Sequence, residues 1–215
     1  DYALGRIFGC LRENDLFKNT WIIFTADHGE MLGDHHMSQK NLFFEGSAHV
    51  PLLIMPPQGR SLPQNISVEA PTDLVDLYPT ILAMAGLSSP VSVSGRNLLE
   101  PVPMDRIFFG NSLNRNFCVM EEKLKLVYSA VGDHVLLCDL NTDPMEQHNL
   151  AEDPAWQERK AKLWKLLLEH TAQYTPEALD ENGQFLTYEA PHFPGDVPGR
   201  WFGFHYHDYS VDTFH

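Results

Sequence analysis

Seven side chains that can bind a metal or carry charge lie within residues 24–40, FTADHGEMLGDHHMSQK. The adjacent pair Asp27-His28 follows an apolar run, Trp21-Ile22-Ile23-Phe24, that is typical of a buried strand. An aspartate offers a hard anionic oxygen and a neutral histidine offers a ring nitrogen, so neighbouring ligands of this kind can hold one divalent cation. The alternative interpretation is structural, with Asp27 capping the next helix and His28 packed in the core.

The sequence argues against three other kinds of site. His28 and His35 are seven positions apart and the sequence has no H-E-x-x-H motif, which excludes the usual zinc-protease site. The absence of a G-x-S-x-G motif excludes a serine hydrolase with a nucleophile elbow. Cys10, Cys118 and Cys138 are far apart in the sequence, so a C-x-x-C zinc site is not expected either.

The elements that must position Asp27-His28 follow an α/β pattern. Apolar residues recur at helical spacing over residues 1–16, and a strand is expected over 20–26. A second apolar run, residues 50–55, ends at two prolines. Short, wholly apolar strands between helices favour a parallel sheet covered on both faces, in which ligands gather at the carboxyl ends of the strands. The sequence therefore predicts Asp27-His28 at such a strand end.

The rest of the chain divides into three parts. Helical spacing over residues 73–85, with Gly86 as a C-cap, completes an α/β domain of residues 1–90 that holds part of a large mixed sheet flanked by helices. Residues 91–175 contain four short strand-like runs and a helix near 156–174, which predicts a small antiparallel sheet with a packed C-terminal helix. Residues 176–215 form an aromatic and histidine-rich tail without regular periodicity.

Composition narrows the classes of partner. The chain has 215 residues and a formal net charge of −14, which argues against nucleic acid or an anionic membrane as the main partner. No apolar run approaches 18 residues, so no membrane span is expected. The chain begins at Asp1 without a recognisable leader, which leaves its localisation open.

The stretch from residue 24 to residue 57 resembles a sequence block of the type I sulfatases, in the alkaline phosphatase superfamily. Two later stretches, APTDLVDLYPTILAMAGL and LLCDLNTDPMEQHNLAEDP, resemble further blocks of that family in the same order, so that the resemblance extends to about residue 172. In the first block the matching positions are Asp27-His28, Gly29-Glu30, Gly33-Asp34-His35, Lys40, Phe44-Glu45 and His49-Val50-Pro51-Leu52.

The resemblance implies sulfuric ester hydrolysis and a role for each of these residues. Asp27 and His28 match two ligands of a divalent metal, with calcium as first choice and manganese, magnesium or zinc as alternatives. Lys40 matches a lysine that contacts the sulfate and stabilises charge on the bridging oxygen. The expected partner is a sulfate ester of a glycan or an aryl alcohol. The residues given a possible supporting role around this site are His35, Glu45 and His49.

The sequence departs from the family at the nucleophile. The family makes a formylglycine from Cys or Ser in a C/S-x-P-x-R motif, and none of the three cysteines has Pro two residues later. We interpret the partial match Ser61-Leu62-Pro63-Gln64-Asn65 as chance, because it ends in Asn and follows the metal pair. The chain is therefore interpreted as the carboxyl-terminal part of a sulfatase, with the formylglycine expected in a missing N-terminal part. We do not expect this chain to be active alone.

Two alternatives to a sulfatase stay open. The Asp-His pair also occurs in phosphonate monoester hydrolases of the same superfamily, so a phosphonate monoester or phosphodiester substrate is possible. A non-catalytic module that keeps the fold is the second alternative. Within the tail, a lid that contacts substrate through Trp201, His205 and Tyr206 competes with an aromatic wrap that fills surface grooves.

Overall fold

The computed structural model describes residues 1–37, 40, 42–60, 66–89 and 93–189. The helices are α1 (Tyr2–Glu13), α2 (Glu45–Ala48), α3 (Leu77–Met84) and α4 (Gln157–Tyr174). The strands are β1 (Ile22–Thr25), β2 (Leu52–Met55), β3 (Ile107–Ser112), β4 (Asn116–Glu121), β5 (Leu124–Ser129) and β6 (His134–Asp139). Single 3₁₀ turns lie at Leu16–Lys18, Asp34–His36, Leu74–Asp76, Pro154–Trp156 and Pro176–Ala178. The α/β class predicted from the sequence is confirmed.

The chain forms two compact units that are discontinuous in sequence. The first combines Asp1–Asp27 with Val50–Met104, and the second combines His28–His49 with the chain from Asp105 onward. Residues 28–49, which hold most of the predicted site, therefore group with the meander that follows much later in the sequence. No helix in the described ranges has both the length and the apolar composition needed to cross a lipid bilayer.

In the first unit, β1 and β2 form an antiparallel pair, with Ile22 opposite Met55 and Thr25 opposite Leu52. The parallel pairing expected for these two strands is wrong. A parallel pair needs a crossover connection, usually a helix that packs back on the sheet. The connection here, residues 28–49, instead belongs to the second unit, and its described part contains a 3₁₀ turn and the four-residue helix α2. Their apolar composition predicted buried strands, but no residue of β1 or β2 is buried, and Phe24, Leu53 and Met55 are exposed. The composition also carried no information about the direction of the strands.

Helix α3 is held by a buried aspartate. Asp76, with none of its surface exposed, accepts backbone N–H groups from Asp73 at 2.8 Å and from Arg96 at 2.7 Å. The Thr80 hydroxyl, one turn later, accepts the backbone N–H of Leu98 at 2.9 Å. The carboxylate is therefore satisfied by backbone donors, as a buried charge must be, and it ties residues 96–98 to the start of the helix.

The second unit contains the predicted meander, a four-stranded antiparallel sheet in the order β3-β4-β5-β6. Side chains alternate between its faces. On β5, Leu124, Leu126 and Tyr128 join the core that α4 covers, whereas Val127 joins the cluster on the opposite face. Lys125 shares the face of Val127, although it lies in a strand that is buried along its whole length.

Helix α4 and the first part of the tail cover one face of the sheet. The rings of Tyr128, Trp164 and Phe185 lie 4.7–5.6 Å apart by centroid. Phe185 is 7% exposed and is held by a bridge to Leu179, and Tyr188 bridges to Val131. Ala178, Leu179 and Phe185 of the tail thus contribute to the core. Residues 190–215, including the three lid candidates Trp201, His205 and Tyr206, lie outside the described residues.

Residues 28–49 cover the other face. The apolar contacts there are made by Met31, Met37, Leu42, Phe43 and Phe44 from this segment and by Cys118, Val127, Leu136 and Cys138 from the sheet. A Cβ atom added at Gly110 of β3 would overlap the ring of Phe43, so only glycine leaves room for it. The segment that carries His28 and Lys40 is therefore folded onto a sheet from the far end of the sequence.

Candidate active site

His28 has a defined tautomer because both of its ring nitrogens have partners. Nδ1 lies 2.8 Å from the carbonyl oxygen of Gly29, and Nε2 lies 2.7 Å from Nζ of Lys40. A carbonyl oxygen only accepts, so Nδ1 carries a proton and donates it. An ammonium only donates, so Nε2 presents its lone pair to Lys40. His28 is thus held in the tautomer that has its proton on Nδ1 and directs the lone pair of Nε2 toward Lys40.

Lys40 is held through its backbone while its side chain stays exposed. The carbonyl oxygen of Lys40 accepts the hydroxyl of Ser47 at 2.8 Å, and Ser47 itself is 2% exposed. The structure thus brings together two of the residues predicted from the sequence, His28 and Lys40, which are twelve positions apart.

The backbone next to His28 is paired with helix α2. The N–H of Gly29 donates to Ser47 O at 2.7 Å, and the N–H of Glu30 donates to Gly46 O at 2.9 Å. A Cβ at position 29 would overlap the Gly46 carbonyl group, so this close approach requires glycine. Helix α2 therefore determines where the backbone on both sides of the His28–Lys40 contact lies.

Glu45, at the start of α2, takes part in a buried ion-pair network. Its carboxylate lies 2.5 Å from Nζ of Lys125 and 2.9 Å from Nδ1 of His49. Lys125 also pairs with Glu146 at 2.9 Å. Burial alone lowers the pKa of the Lys125 ammonium, but the carboxylates of Glu146 and Glu45 more than offset it, so the pKa of Lys125 lies above its usual value. Lys125 therefore stays charged at neutral pH.

His35 lies elsewhere in this segment. Its ring stacks on Phe44, with centroids 4.1 Å apart and planes 11° from parallel, and its Nε2 lies 3.1 Å from Met145 O. Its φ of +52° is a left-handed conformation that is uncommon for a residue with a side chain. His35 thus joins the 28–49 segment to the loop after β6, and a role in substrate contact stays a prediction.

Asp27 follows β1 and belongs to the first unit, and His28 belongs to the second. Their convergence on one ion stays a prediction. Across the described ranges, no three His, Cys, Asp or Glu side chains gather as a metal site. The donor chemistry of His28 nevertheless fits a metal ligand, because its Nε2 lone pair is presented to a cation while Nδ1–H is anchored on a carbonyl.

The buried cysteines are not candidates for the nucleophile. Burial raises the pKa of the Cys118 thiol to about 12, and the carboxylates of Glu146 and Glu45 act in the same direction against Lys125. Burial likewise raises the pKa of Cys138 to about 12, with Glu146 and Asp143 adding to it. Both thiols therefore stay protonated at neutral pH, and only a thiolate is a good nucleophile. Cys10 is exposed.

Sequence reasoning missed Ser47, Lys125 and Glu146. Lys125 did carry a signal, because a lysine inside the apolar run LKLVYS needs a buried counter-charge. Glu146 lay within a stretch that resembles a sulfatase block, but nothing in its neighbourhood indicated a role. Ser47 had no distinguishing signal.

Comparison with known proteins places this arrangement in a family. The sequence model of the family described as Sulfatase matches residues 1–87. The chain is 42% identical over 172 residues to Arylsulfatase K of Mus musculus, an alignment that covers 71% of this chain and 31% of that protein. The chain therefore spans about a third of the length of the curated relatives it matches.

Solved structures agree on the fold. The phosphonate monoester hydrolase of Agrobacterium radiobacter matches with a TM-score of 0.63 and 32% identity, covering 84% of this chain and 41% of that one. The protein BT4656, in complex with its substrate D-glucosamine-2-N,6-O-disulfate, matches with a TM-score of 0.63 and 23% identity, covering 80% and 38%. The fold is that of the hydrolases in the alkaline phosphatase superfamily. Within that class, the chain belongs to the sulfatase family.

Proposed function

We propose that the protein of which these residues are part hydrolyses sulfuric esters. The observation that carries this proposal is the 2.7 Å contact between Lys40 Nζ and His28 Nε2. It puts an ammonium beside the residue that the sulfatase resemblance assigns to the metal. A cation and an ammonium at one point neutralise a tetrahedral oxyanion better than either alone.

The roles of the residues follow from their chemistry. Asp27 and His28 would hold the divalent metal, which would act as a Lewis acid toward the sulfate oxygens; calcium is our first choice, with manganese, magnesium and zinc as alternatives. Cleavage of the S–O bond leaves negative charge on the alcohol oxygen. Lys40 donates a hydrogen bond to that oxygen and so stabilises the charge as it develops. Gly29 O keeps His28 in the tautomer whose Nε2 carries the lone pair that a metal would use.

The nucleophile is proposed to lie outside these 215 residues, as a formylglycine of the kind the sulfatase family uses. The buried cysteines support this, because their thiols stay protonated. The substrate is proposed to be a sulfate ester of an aryl alcohol or a sugar. The name of the mouse relative points to the first, and the ligand of BT4656 points to the second.

A second candidate is hydrolysis of phosphonate monoesters. It is favoured by the similarity to the Agrobacterium enzyme, which is 32% identical to this chain. Sulfate monoesters carry one negative charge and phosphonate monoesters also carry one, so the charge at the site does not separate the two substrates.

The test compares substrates on the full-length protein. Activity is measured with 4-nitrophenyl sulfate, 4-nitrophenyl phosphate and a 4-nitrophenyl phosphonate monoester, before and after chelation and after addition of each metal. We expect kcat/KM to be highest for the sulfate, to fall on chelation and to return with calcium. A higher kcat/KM for the phosphonate would favour the second candidate, hydrolysis of phosphonate monoesters. No turnover of any ester by metal-loaded protein would contradict both.

A further inference from the structure

The ammonium of Lys125 is buried on the sheet face that residues 28–49 cover, where it donates two hydrogen bonds and forms an ion pair with Glu146. The side chain of Lys125 is 3% exposed and that of Glu146 is 2% exposed. Nζ lies 2.7 Å from Phe43 O, 2.5 Å from Glu45 Oε1 and 2.9 Å from Glu146 Oε1. The other carboxylate oxygen of Glu146 accepts the backbone N–H of Glu45 at 2.6 Å. The pair thus binds two backbone groups of one turn.

A contribution to stability alone does not explain why the ion pair of Lys125 and Glu146 is buried. Removing charges from water is costly, and replacing a buried ion pair by apolar side chains of similar volume is often neutral or stabilising. What the pair adds is geometry. Its contacts to Phe43 O and to Glu45 N fix the first turn of α2 relative to β5 to within hydrogen-bond tolerance, which apolar side chains cannot do.

The fixed turn is connected directly to the predicted catalytic residues. Helix α2 supplies Gly46 O and Ser47 O, which accept the N–H groups of Glu30 and Gly29 beside His28. The hydroxyl of Ser47 donates to Lys40 O. These hydrogen bonds connect Lys125 to the backbone at His28 and Lys40 through α2, entirely within the second unit.

We propose that Lys125, Glu146 and Glu45 form a positioning anchor, which holds α2 on the sheet and thereby sets the distance between His28 and Lys40. Lys125 and Glu146 touch neither of those side chains, so they act as positioning residues and take no part in the chemistry. The effect on turnover rests on the proposed sulfatase function, whereas the effect on the local structure does not.

The principal test is the double variant Lys125→Met/Glu146→Met in the full-length protein. It replaces the buried pair by two unbranched apolar side chains and leaves no buried unpaired charge, because Glu45 is 28% exposed and can turn to water. We expect a Tm within a few degrees of wild type or higher. We expect kcat to fall about 10- to 100-fold with little change in KM, the scale of a misplacement near 1 Å. Amide exchange at Gly29, Glu30 and Glu45 should rise at least tenfold.

Three further variants keep the test decisive. Leu167→Ala, on the buried side of α4 and 1% exposed, is the matched control and should lower Tm while leaving kcat and the exchange of Gly29 unchanged. If the double variant does not fold, Glu146→Leu takes its place, since Lys125 still pairs with Glu45. The conservative Glu146→Gln, which retains an acceptor for Glu45 N, should restore most of what Glu146→Leu loses.

The outcomes separate the two proposals. Wild-type kcat and wild-type exchange in the double variant would overturn the anchor, as would equal values for Glu146→Leu and Glu146→Gln. Faster exchange at Gly29 and Glu30 in a protein that hydrolyses no sulfate ester would support the anchor and reject the proposed function. A fall in kcat that Leu167→Ala reproduces at the same loss of Tm would reduce the anchor to a contribution to stability.

Discussion

The two faces of the four-stranded sheet are built on different principles. The face under α4 is apolar, with Phe117, Leu126, Tyr128 and Leu137 packed against the helix. The face under residues 28–49 has methionines, phenylalanines and two thiols around a buried ammonium. The first face joins elements that follow one another in the sequence, whereas the second joins β5 to a segment 80 or more positions earlier.

This difference suggests that the two faces have different roles, one in stability and the other in positioning. Apolar packing is strong but tolerates small shifts, because its energy is roughly proportional to buried area. Hydrogen bonds to a buried charge contribute less net stability but specify positions. A segment that carries an ammonium and a metal ligand needs the second kind of support, since a small displacement there changes the chemistry. Changes under α4 should therefore affect stability, and changes under residues 28–49 should affect activity.

The largest expected effect on stability is at Leu163. This residue of α4 is 1% exposed, so Leu163→Ala removes a fully buried side chain and leaves a cavity. The free energy of unfolding should fall by about 2–5 kcal/mol, measured by urea denaturation. Because α4 lies on the face away from His28, kcat per folded molecule should not change. A large fall in kcat at temperatures where the variant is fully folded would break the comparison between the faces.

The complementary substitution, in the segment that covers the other face of the sheet, is Lys40→Ala. Lys40 is exposed, so the melting temperature should stay near wild type, whereas kcat/KM for a sulfate ester should fall by roughly 10²–10³. Lys40→Arg should restore kcat/KM only in part, because the planar guanidinium of arginine does not place its charge where an ammonium does. Lys165, exposed on α4, supplies the control: Lys165→Ala should leave both quantities unchanged. Wild-type kinetics for Lys40→Ala would make Lys40 a surface lysine.

The face under α4 was largely predictable from the sequence, because its signals are local. Apolar spacing gave the helix near 156–174, and four short runs separated by turn residues gave the meander. Each of these patterns is complete within a few residues. The packing of Phe185 into that core was not predicted, because the tail has no periodicity from which burial could be inferred.

The other face was not predictable for a physical reason. Two of the partners of Lys125 are 80 and 82 positions away, and Glu45 and Glu146 are separated by 101 positions. No local pattern encodes such pairings. The antiparallel direction of β2 was not predicted for a similar reason, since it depends on where residues 28–49 fold. What the family resemblance supplied was the identity of His28 and Lys40 as candidates, which the 2.7 Å contact between them supports.

A smaller effect is expected where the segment packs against β3. Gly110→Ala places a methyl group into the ring of Phe43, whose carbonyl accepts a hydrogen bond from Lys125. Overpacking of this kind costs about 1–3 kcal/mol of stability, and the shift of Phe43 should also lower kcat several-fold. The double variant Gly110→Ala/Phe43→Leu makes room and should recover much of both losses. No change in Tm for Gly110→Ala would show that the ring moves freely.

The smallest effect should distinguish how the faces respond to acid. His170 of α4 stacks on Phe109, with centroids 3.9 Å apart, and burial lowers the pKa of His170. The unfolded chain, with a pKa near 6.5 for this group, therefore takes up the proton first, so stability is lost as pH falls below about 6.5. Lys125 does not contribute in that range, because its raised pKa keeps it charged until strongly alkaline pH.

The variant His170→Phe keeps a ring on Phe109 but cannot titrate. Between pH 7.5 and 5, the Tm of wild type should fall more than that of the variant. The difference between the two falls should be smaller than about 2–4 °C, which is the shift that 1 kcal/mol produces in a chain of this size. Other titrating groups act equally in both proteins and cancel in the difference. Parallel melting curves across this range would show that His170 titrates alike in the folded and unfolded states, and that the face under α4 has no acid response of its own.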